Sequence, residues 1–134
     1  NTKKLVFPIA ISTIIGTIIL MNINFRLKVA FYTTNLGDEP VCKWLKELER
    51  EDKKAIGEEI KTVQFGWPIG MPIVRKLEKD LWEVRVSLVS RIARIFFTVS
   101  DDTMVLLHGF IKKSKKIPTN DLKLAKQRLK SFGG

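Results

Sequence analysis

The sequence has almost none of the residue types from which metal centres and nucleophilic sites are built. Its 134 residues include one cysteine, Cys42, and one histidine, His108. A single cysteine excludes an intramolecular disulfide framework and a cysteine-based zinc site, and a single histidine excludes a histidine-rich metal centre. Dinucleotide-binding, P-loop, zinc-protease and serine-elbow motifs are also absent. We therefore expect no metal and no cofactor.

Acidic residues are scarce in one half of the chain. The chain contains 24 Lys and Arg residues and 14 Asp and Glu residues, which gives a formal net charge of +10. Residues 21–66 balance eight basic against eight acidic side chains, whereas residues 67–134 carry fourteen against six. A neutral half joined to a basic half favours one face built for phosphate, the alternative being a solvated lysine-rich surface. The length fits one domain, for which we expect an anionic partner and a cytoplasmic location.

One long apolar run, residues 5–21, stands apart from the rest. It has 17 residues, fewer than the roughly 20 that a membrane-spanning helix needs. Lys3 and Lys4 resemble the start of a signal peptide, but no small-x-small cleavage site follows. The run is open to three interpretations: a membrane anchor, an uncleaved export signal, or upstream sequence before a natural start at Met21. We favour the third, with residues 1–20 as an apolar extension and residues 21–134 as the domain.

Hydrophobic periodicity predicts an α+β fold. Alternation around residues 25–31 predicts a half-buried strand, and two amphipathic helices follow within residues 40–63. Short turns separate strand-like runs at 74–79, 81–88, 92–99 and 104–111, which is typical of an antiparallel meander. A last helix begins near Thr119. We therefore expect an antiparallel sheet, formed by the N-terminal strand and the C-terminal meander, packed with an N-terminal helical hairpin and a C-terminal helix.

The turn at Val89-Ser90 predicts the register of the central hairpin. A two-residue turn there creates one wholly apolar face, which supports the pairing. The predicted pairs on that face are Trp82 with Phe97, Val84 with Ile95, and Val86 with Ala93.

The same register places Arg85 opposite Arg94 on the other face of the hairpin, beside Glu83. Two like charges directly opposite each other are unfavourable unless an anion or an acidic side chain lies between them. Either a bound anion or a salt bridge to Glu83 would satisfy this requirement.

The orientation of His108 depends on which apolar residues of its strand face the core. If Val105 and Leu107 do so, His108 points to the face of the two arginines. If Met104 and Leu106 do so, His108 is buried instead. A lone histidine between apolar neighbours is more often structural than catalytic, although its ordinary pKa suits acid–base chemistry.

A lysine cluster follows where this strand leaves the sheet, and it comprises Lys112, Lys113, Lys115 and Lys116. It is either a solvated loop or a patch that follows a phosphate backbone. Gly109 and Phe110 lie beside it, where a nucleobase could approach and stack.

Six motifs together resemble a known protein family over roughly residues 26–132. They are Trp67-Pro68-x-Gly70-Met71-Pro72, Leu81-Trp82-Glu83-Val84-Arg85, Arg91-Ile92-Ala93-Arg94, Leu106-Leu107-His108-Gly109-Phe110-Ile111-Lys112-Lys113, Lys116-x-Pro118 and Ala125-x-x-Arg128. In this order they resemble the phage-derived HigB-like branch of the RelE/ParE toxin superfamily.

The resemblance implies a RelE-like α+β toxin of a type II toxin–antitoxin pair, neutralised by a cognate antitoxin that often has a helix-turn-helix domain. RelE and HigB members cut mRNA in the ribosomal A site, so mRNA and the ribosome are implied partners. Arg85 and Arg94 match the strand arginines of the family's active surface. The candidate catalytic residues are Arg85, Arg94 and His108. The candidate RNA-binding residues are Lys76, Arg91, Phe110, Lys112, Lys113, Lys115 and Lys116.

The implied activity is that of an endoribonuclease, or mRNA interferase. With no metal cluster visible in the sequence, we expect attack by the RNA 2′-OH on the adjacent phosphate, with Arg85 and Arg94 stabilising charge and His108 or a lysine moving the proton. Two alternatives remain. One is a ParE-type poison of DNA gyrase. The other is a non-enzymatic basic module that binds nucleic acid, or a membrane if residues 5–21 are a true anchor.

Overall fold

The computed structural model describes residues 4–5, 26–112 and 119–133. The predictions for the apolar run after Leu5, for a start at Met21, and for Lys113, Lys115 and Lys116 lie outside these residues. The described strands are β1 (Lys4–Leu5), β2 (Lys28–Phe31), β3 (Val74–Glu78), β4 (Leu81–Leu88), β5 (Arg91–Ser100) and β6 (Thr103–Lys112). The described helices are α1 (Pro40–Lys46), α2 (Arg50–Gly66) and α3 (Thr119–Gly133). The protein is α+β, as predicted.

The strands form one open sheet in the order β1-β2-β6-β5-β4-β3. Strands β3 to β6 form the predicted antiparallel meander. The prediction of an antiparallel sheet is wrong for β2, which runs parallel to β6 with Lys28 beside Thr103. Short turns dictate antiparallel neighbours only within the meander. Between β2 and β6 the chain passes through the two helices and through β3, β4 and β5, and a connection of that length permits a parallel pair.

The hairpin of α1 and α2 covers one face of the sheet, here called the hairpin face. Its buried stripe consists of Val41 and Leu45 from α1 and Ile56, Ile60 and Val63 from α2. These side chains pack on the apolar face of the central strands, where Val84, Ile95 and Phe97 are also buried. The predicted pairs of that face are present, because a hydrophobic face tolerates no one-residue slip.

Helix α3 covers part of the opposite face, here called the α3 face. Its apolar stripe, with Ala125 fully buried, packs in a second cluster with Phe96, Val105 and Leu107. Both faces of β5 and β6 are therefore buried over much of their length. Strands of this kind show continuous apolar runs instead of alternation, which is why the sequence left the orientation of β6 open.

A β-bulge in β6 decides the orientation of His108. Phe97 pairs with Leu106 and Phe96 pairs with His108, which leaves Leu107 as an extra residue. Leu106 therefore packs on the hairpin face, while Leu107 and His108 both lie on the α3 face. The expectation that His108 would be buried in the core if Leu106 faced it is wrong, because the bulge reverses the alternation between them.

Candidate functional site

Arg85 and Arg94 form a directly opposite pair on the α3 face, in the predicted register. Glu83 lies on the same face and is wholly buried. Its carboxylate Oε2 is 3.1 Å from Nη1 of Arg94, and its Oε1 is 3.5 Å from Nε of Arg75. The Arg94 side chain is only 6% exposed. The salt bridge considered from the sequence therefore exists for Arg94, and it extends to Arg75.

The ion pair of Glu83 and Arg94 is held by charge more than by aligned hydrogen bonds. Nε of Arg94 and both carboxylate oxygens of Glu83 are buried without a well-aligned hydrogen bond from the described residues. Burial lowers the pKa of Arg94, the carboxylate of Glu83 opposes that effect, and the charges of Arg85 and Arg75 add to it. A guanidinium remains protonated under these conditions. The pair is therefore a buried, charged support beneath the sheet surface.

Lys112 completes a group of basic side chains, here called the cation cluster, with Arg75, Arg85 and Arg94. Lys112 lies at the end of β6, and its pKa is lowered by desolvation and then by the charges of Arg94 and Arg85. Within the described ranges, four positive charges therefore lie around one carboxylate, that of Glu83. Arg85 is only half-buried and forms no ion pair with any residue of the described ranges. The cluster has a surplus of positive charge for an anion to balance.

The imidazole of His108 is occupied on both sides by residues of α3. Its Nε2 lies 2.6 Å from Oδ1 of Asp121, and its Nδ1 lies 3.4 Å from Nη1 of Arg128. Because an arginine can only donate, Nδ1 must accept, which leaves Nε2–H to donate to Asp121. Burial lowers the pKa of His108, Asp121 opposes that effect, and Arg128 adds to it. His108 in this form joins α3 to the sheet.

Phe110 connects His108 with the cation cluster. It pairs with Arg94 across the strands and stacks on the ring of His108 at 5.5 Å between centroids. Phe110 is partly exposed, so its ring can still meet a nucleobase. The sequence suggested that a nucleobase could approach at Gly109. It cannot do so beside Phe110, because Gly109 lies on the hairpin face. A Cβ there would come within 2.5 Å of the Trp44 ring, so the glycine serves helix packing.

Two of the predicted RNA-binding residues lie away from the cation cluster. Lys76 pairs with Trp82 on the hairpin face, where its Nζ is 5.9 Å from the indole centroid. Arg91 donates to the carboxylate of Asp52 on α2 at 2.6 Å. The structure thus brings together Arg85, Arg94, Phe110 and Lys112, with His108 at the edge beneath α3.

Three further residues of this region were not predicted for the site: Arg75, Asp121 and Arg128. A two-residue turn at residues 79–80 would pair Arg75 with Val84, but an irregularity between Lys76 and Glu78 places it opposite Glu83. The bulge has no sequence signal of its own. No sequence pattern links Asp121 to His108, and only the packing of α3 reveals their contact.

The described residues hold neither a metal-binding cluster nor a membrane-spanning helix. No group of three or more His, Cys, Asp or Glu side chains in residues 26–112 and 119–133 is placed to hold a metal ion. Within the same ranges, no helix is long and apolar enough to cross a membrane.

The fold and the basic site define an α+β protein with a cation cluster on one face of an open sheet. The chain belongs to a phage-derived family, since the family model described as "Phage derived protein Gp49-like (DUF891)" matches residues 43–130. This range runs from α1 into α3 and includes the whole cation cluster. The Gp49-like family is toxin-like, of the RelE/HigB type in general, and is associated with toxin–antitoxin ribonucleases. No curated protein gives a significant match to the chain.

Proposed function

We propose that this protein is the toxin of a type II toxin–antitoxin pair, from the HigB-like branch and with a RelE-like arrangement. It acts in the cytoplasm as a metal-independent endoribonuclease on ribosome-bound mRNA. The observation that carries the proposal is the cation cluster, in which Arg85 faces Arg94 and Glu83 is the one carboxylate of the described residues that balances the charge. Membership of the Gp49-like family supports the toxin class.

The scissile phosphate binds at Arg85. This guanidinium is half-buried and is unpaired within the described part of the chain, so its donors can turn to a phosphodiester. Arg94 supplies a second positive charge from beneath, fixed by Glu83. Negative charge grows on the phosphoryl oxygens during attack by the 2′-OH, and preorganised cations stabilise it. The products are a 2′,3′-cyclic phosphate and a 5′-OH.

Lys112 is the better candidate for proton transfer. Both ring nitrogens of His108 contact α3, so His108 could act only after that helix is released. The pKa of Lys112 is lowered by desolvation and by Arg94 and Arg85, which increases the neutral fraction available as a base. Phe110 stacks on a neighbouring base, and Lys113, Lys115 and Lys116 continue the contact with the RNA backbone.

The natural inhibitor is a cognate antitoxin, of the helix-turn-helix type. The Gp49-like family is consistent with such a partner. An antitoxin that covers the cation cluster would balance its surplus charge with carboxylates and would exclude RNA at the same time.

The test uses the purified full-length chain with programmed ribosomes and a labelled mRNA. The expected products carry 2′,3′-cyclic phosphate and 5′-OH ends, because the 2′-OH of the RNA is the nucleophile. Fragments with 3′-OH and 5′-phosphate ends would contradict the mechanism.

A second candidate function is RNA binding without cleavage. Two observations favour it: both ring nitrogens of His108 already have partners, and Glu83 balances the charge of Arg94. Lys112 is then the main group at the site that could transfer a proton. The same assay separates the two functions. A protein that retards the mRNA in a gel, yet leaves it intact on ribosomes, would be a binding module.

A further inference from the structure

A groove opens at the sheet edge, next to Arg85. It has a volume of about 260 Å³ and is lined by Glu59, Pro72, Ile73, Arg85, Ser87 and Ile92. The groove lies where β4 continues past the start of β3: Val74, the first residue of β3, pairs with Val84, and the backbone N–H of Arg85 donates to the carbonyl of Ile73 just before β3. Its size is close to the lower end of small-ligand pockets, which span roughly 300–1,000 Å³.

The groove combines a carboxylate, a cation and apolar walls. Glu59 of α2 and Arg85 of β4 both line the groove at the sheet edge, and they form no ion pair with each other. Within the described residues, Glu59 forms no ion pair at all, although it is only partly exposed. An ionised carboxylate can only accept hydrogen bonds. The groove therefore suits a flat ring that carries N–H donors and is linked to an anion.

We infer that the groove is a guanine-binding subsite for the nucleotide whose phosphate lies at Arg85. Guanine presents N1–H and the N2 amino group side by side on its Watson–Crick edge, and these two donors match the two oxygens of Glu59. Adenine and cytosine offer one amino group beside an acceptor, and uracil offers one N–H between two acceptors. The inference rests on the proposed function insofar as RNA is the ligand.

The position of the groove agrees with a nucleotide chain that crosses the strands. Ile92, in the wall of the groove, pairs with Lys112 on the neighbouring strand. Phe110 lies on that same strand, opposite Arg94. The strand order β6-β5-β4-β3 places Phe110 on the Arg94 side of the arginine pair and the groove on the Arg85 side. Neighbouring strands are about 4.8 Å apart, a spacing that a nucleotide chain can cross. One base would occupy the groove while another stacks on Phe110, with the phosphate between them.

The test measures binding of two 2′-fluoro hexanucleotides by fluorescence anisotropy. Both are uridine-rich and identical except for one guanine, which the second replaces by hypoxanthine, a base without the N2 amino group. The 2′-fluoro group prevents cleavage, so the result does not depend on catalysis. We expect the full-length protein to bind the guanine oligomer about tenfold more tightly, since a hydrogen bond to a charged group is lost with hypoxanthine. Glu59→Gln should abolish the preference.

Glu58→Gln is the matched control, because Glu58 is the adjacent carboxylate of α2 and is exposed outside the groove. It should retain the preference while changing the net charge equally. Equal binding of both oligomers by the unmodified protein, or a preference that survives Glu59→Gln, would overturn the subsite. A guanine preference in a protein that cuts no mRNA would support the subsite and refute the proposed cleavage. Cleavage of mRNA by a protein that binds both oligomers equally would support the proposed cleavage and overturn the subsite.

Discussion

Arg94 and Glu83 form a buried ion pair beside Arg85, with 3.1 Å between Nη1 and Oε2. The two arginines occupy equivalent positions in the hairpin, yet their surroundings differ. Arg94 is enclosed and shares the carboxylate with Arg75, whereas Arg85 is half-buried and faces the groove. Arg94 therefore stabilises the fold and adds positive electrostatic potential at the site. Arg85 is the direct ligand for phosphate.

Replacing Arg94 should therefore destabilise the fold. Arg94→Ala leaves the buried carboxylate of Glu83 with only the more distant Arg75, and breaking a buried pair in this way costs about 3–5 kcal/mol. Arg85→Ala should change the free energy of unfolding by less than about 1 kcal/mol, because Arg85 has no such partner. Urea denaturation of both variants measures the difference. Equal losses of stability would contradict the separation of roles.

Changing Lys112 should alter the pH dependence of cleavage. If the neutral amine takes the proton from the 2′-OH, the rate should rise with pH up to a pKa that lies below the ordinary value of about 10.4. Lys112→Arg keeps the positive charge but cannot deprotonate, so the rate should fall and lose this rise. Single-turnover rates between pH 6 and 10 provide the measurement. An unchanged profile in Lys112→Arg would assign proton transfer to another group.

The pH dependence of stability should report on His108, which is the only histidine in the chain. Its pKa is lowered in the folded protein, first by burial, so the unfolded chain binds more protons than the folded one below about pH 6.5. Its contribution to stability is fully present above that pH and is lost as the pH falls towards the folded-state pKa. Urea midpoints measured from pH 7.5 to 5 should therefore decrease. In His108→Gln the decrease should be smaller, and an identical decrease would refute the assignment.

Gly109 should tolerate no side chain. The Cβ of Gly109→Ala would meet the Trp44 ring at 2.5 Å, and overpacking of this kind costs about 1–3 kcal/mol. Gly70→Ala is the control, because nothing lies within 4 Å of a Cβ at that position. Thermal unfolding should show a clear loss of stability for Gly109→Ala and little change for Gly70→Ala. Equal stability of the two variants would contradict the packing of α1 on β6.

Sequence patterns predicted the features of the fold that depend on local signals. The register of β4 and β5 follows from a two-residue turn and from an apolar face that tolerates only one alignment, and it placed Arg85 opposite Arg94. The stripe of α2 followed in the same way from its 3.6-residue period. Such patterns report which residues share a face, and they succeed where one face is much more apolar than the other.

Features that depend on bulges and on contacts between distant elements were not predictable from the sequence. The bulge at Leu107 turned His108 onto the α3 face, and the irregularity in β3 brought Arg75 to Glu83. Lys76 and Arg91 were predicted to bind RNA, although their positions along the chain do not show which face of the sheet they occupy. Packing placed them on the hairpin face, where Arg91 meets Asp52, a residue 39 positions away.

The most direct measurement of the central claim maps new mRNA 5′ ends by primer extension in a bacterium that expresses the full-length protein. Arg85→Ala is compared with Arg91→Ala, which removes the same charge from the same hairpin but on the opposite face. The account predicts cuts within coding regions for the unmodified protein and for Arg91→Ala, and a reduction of about 10²–10³ in cleavage rate for Arg85→Ala. Undiminished cuts in Arg85→Ala, or growth arrest without any cuts, would contradict an RNA-cleaving site at the cation cluster.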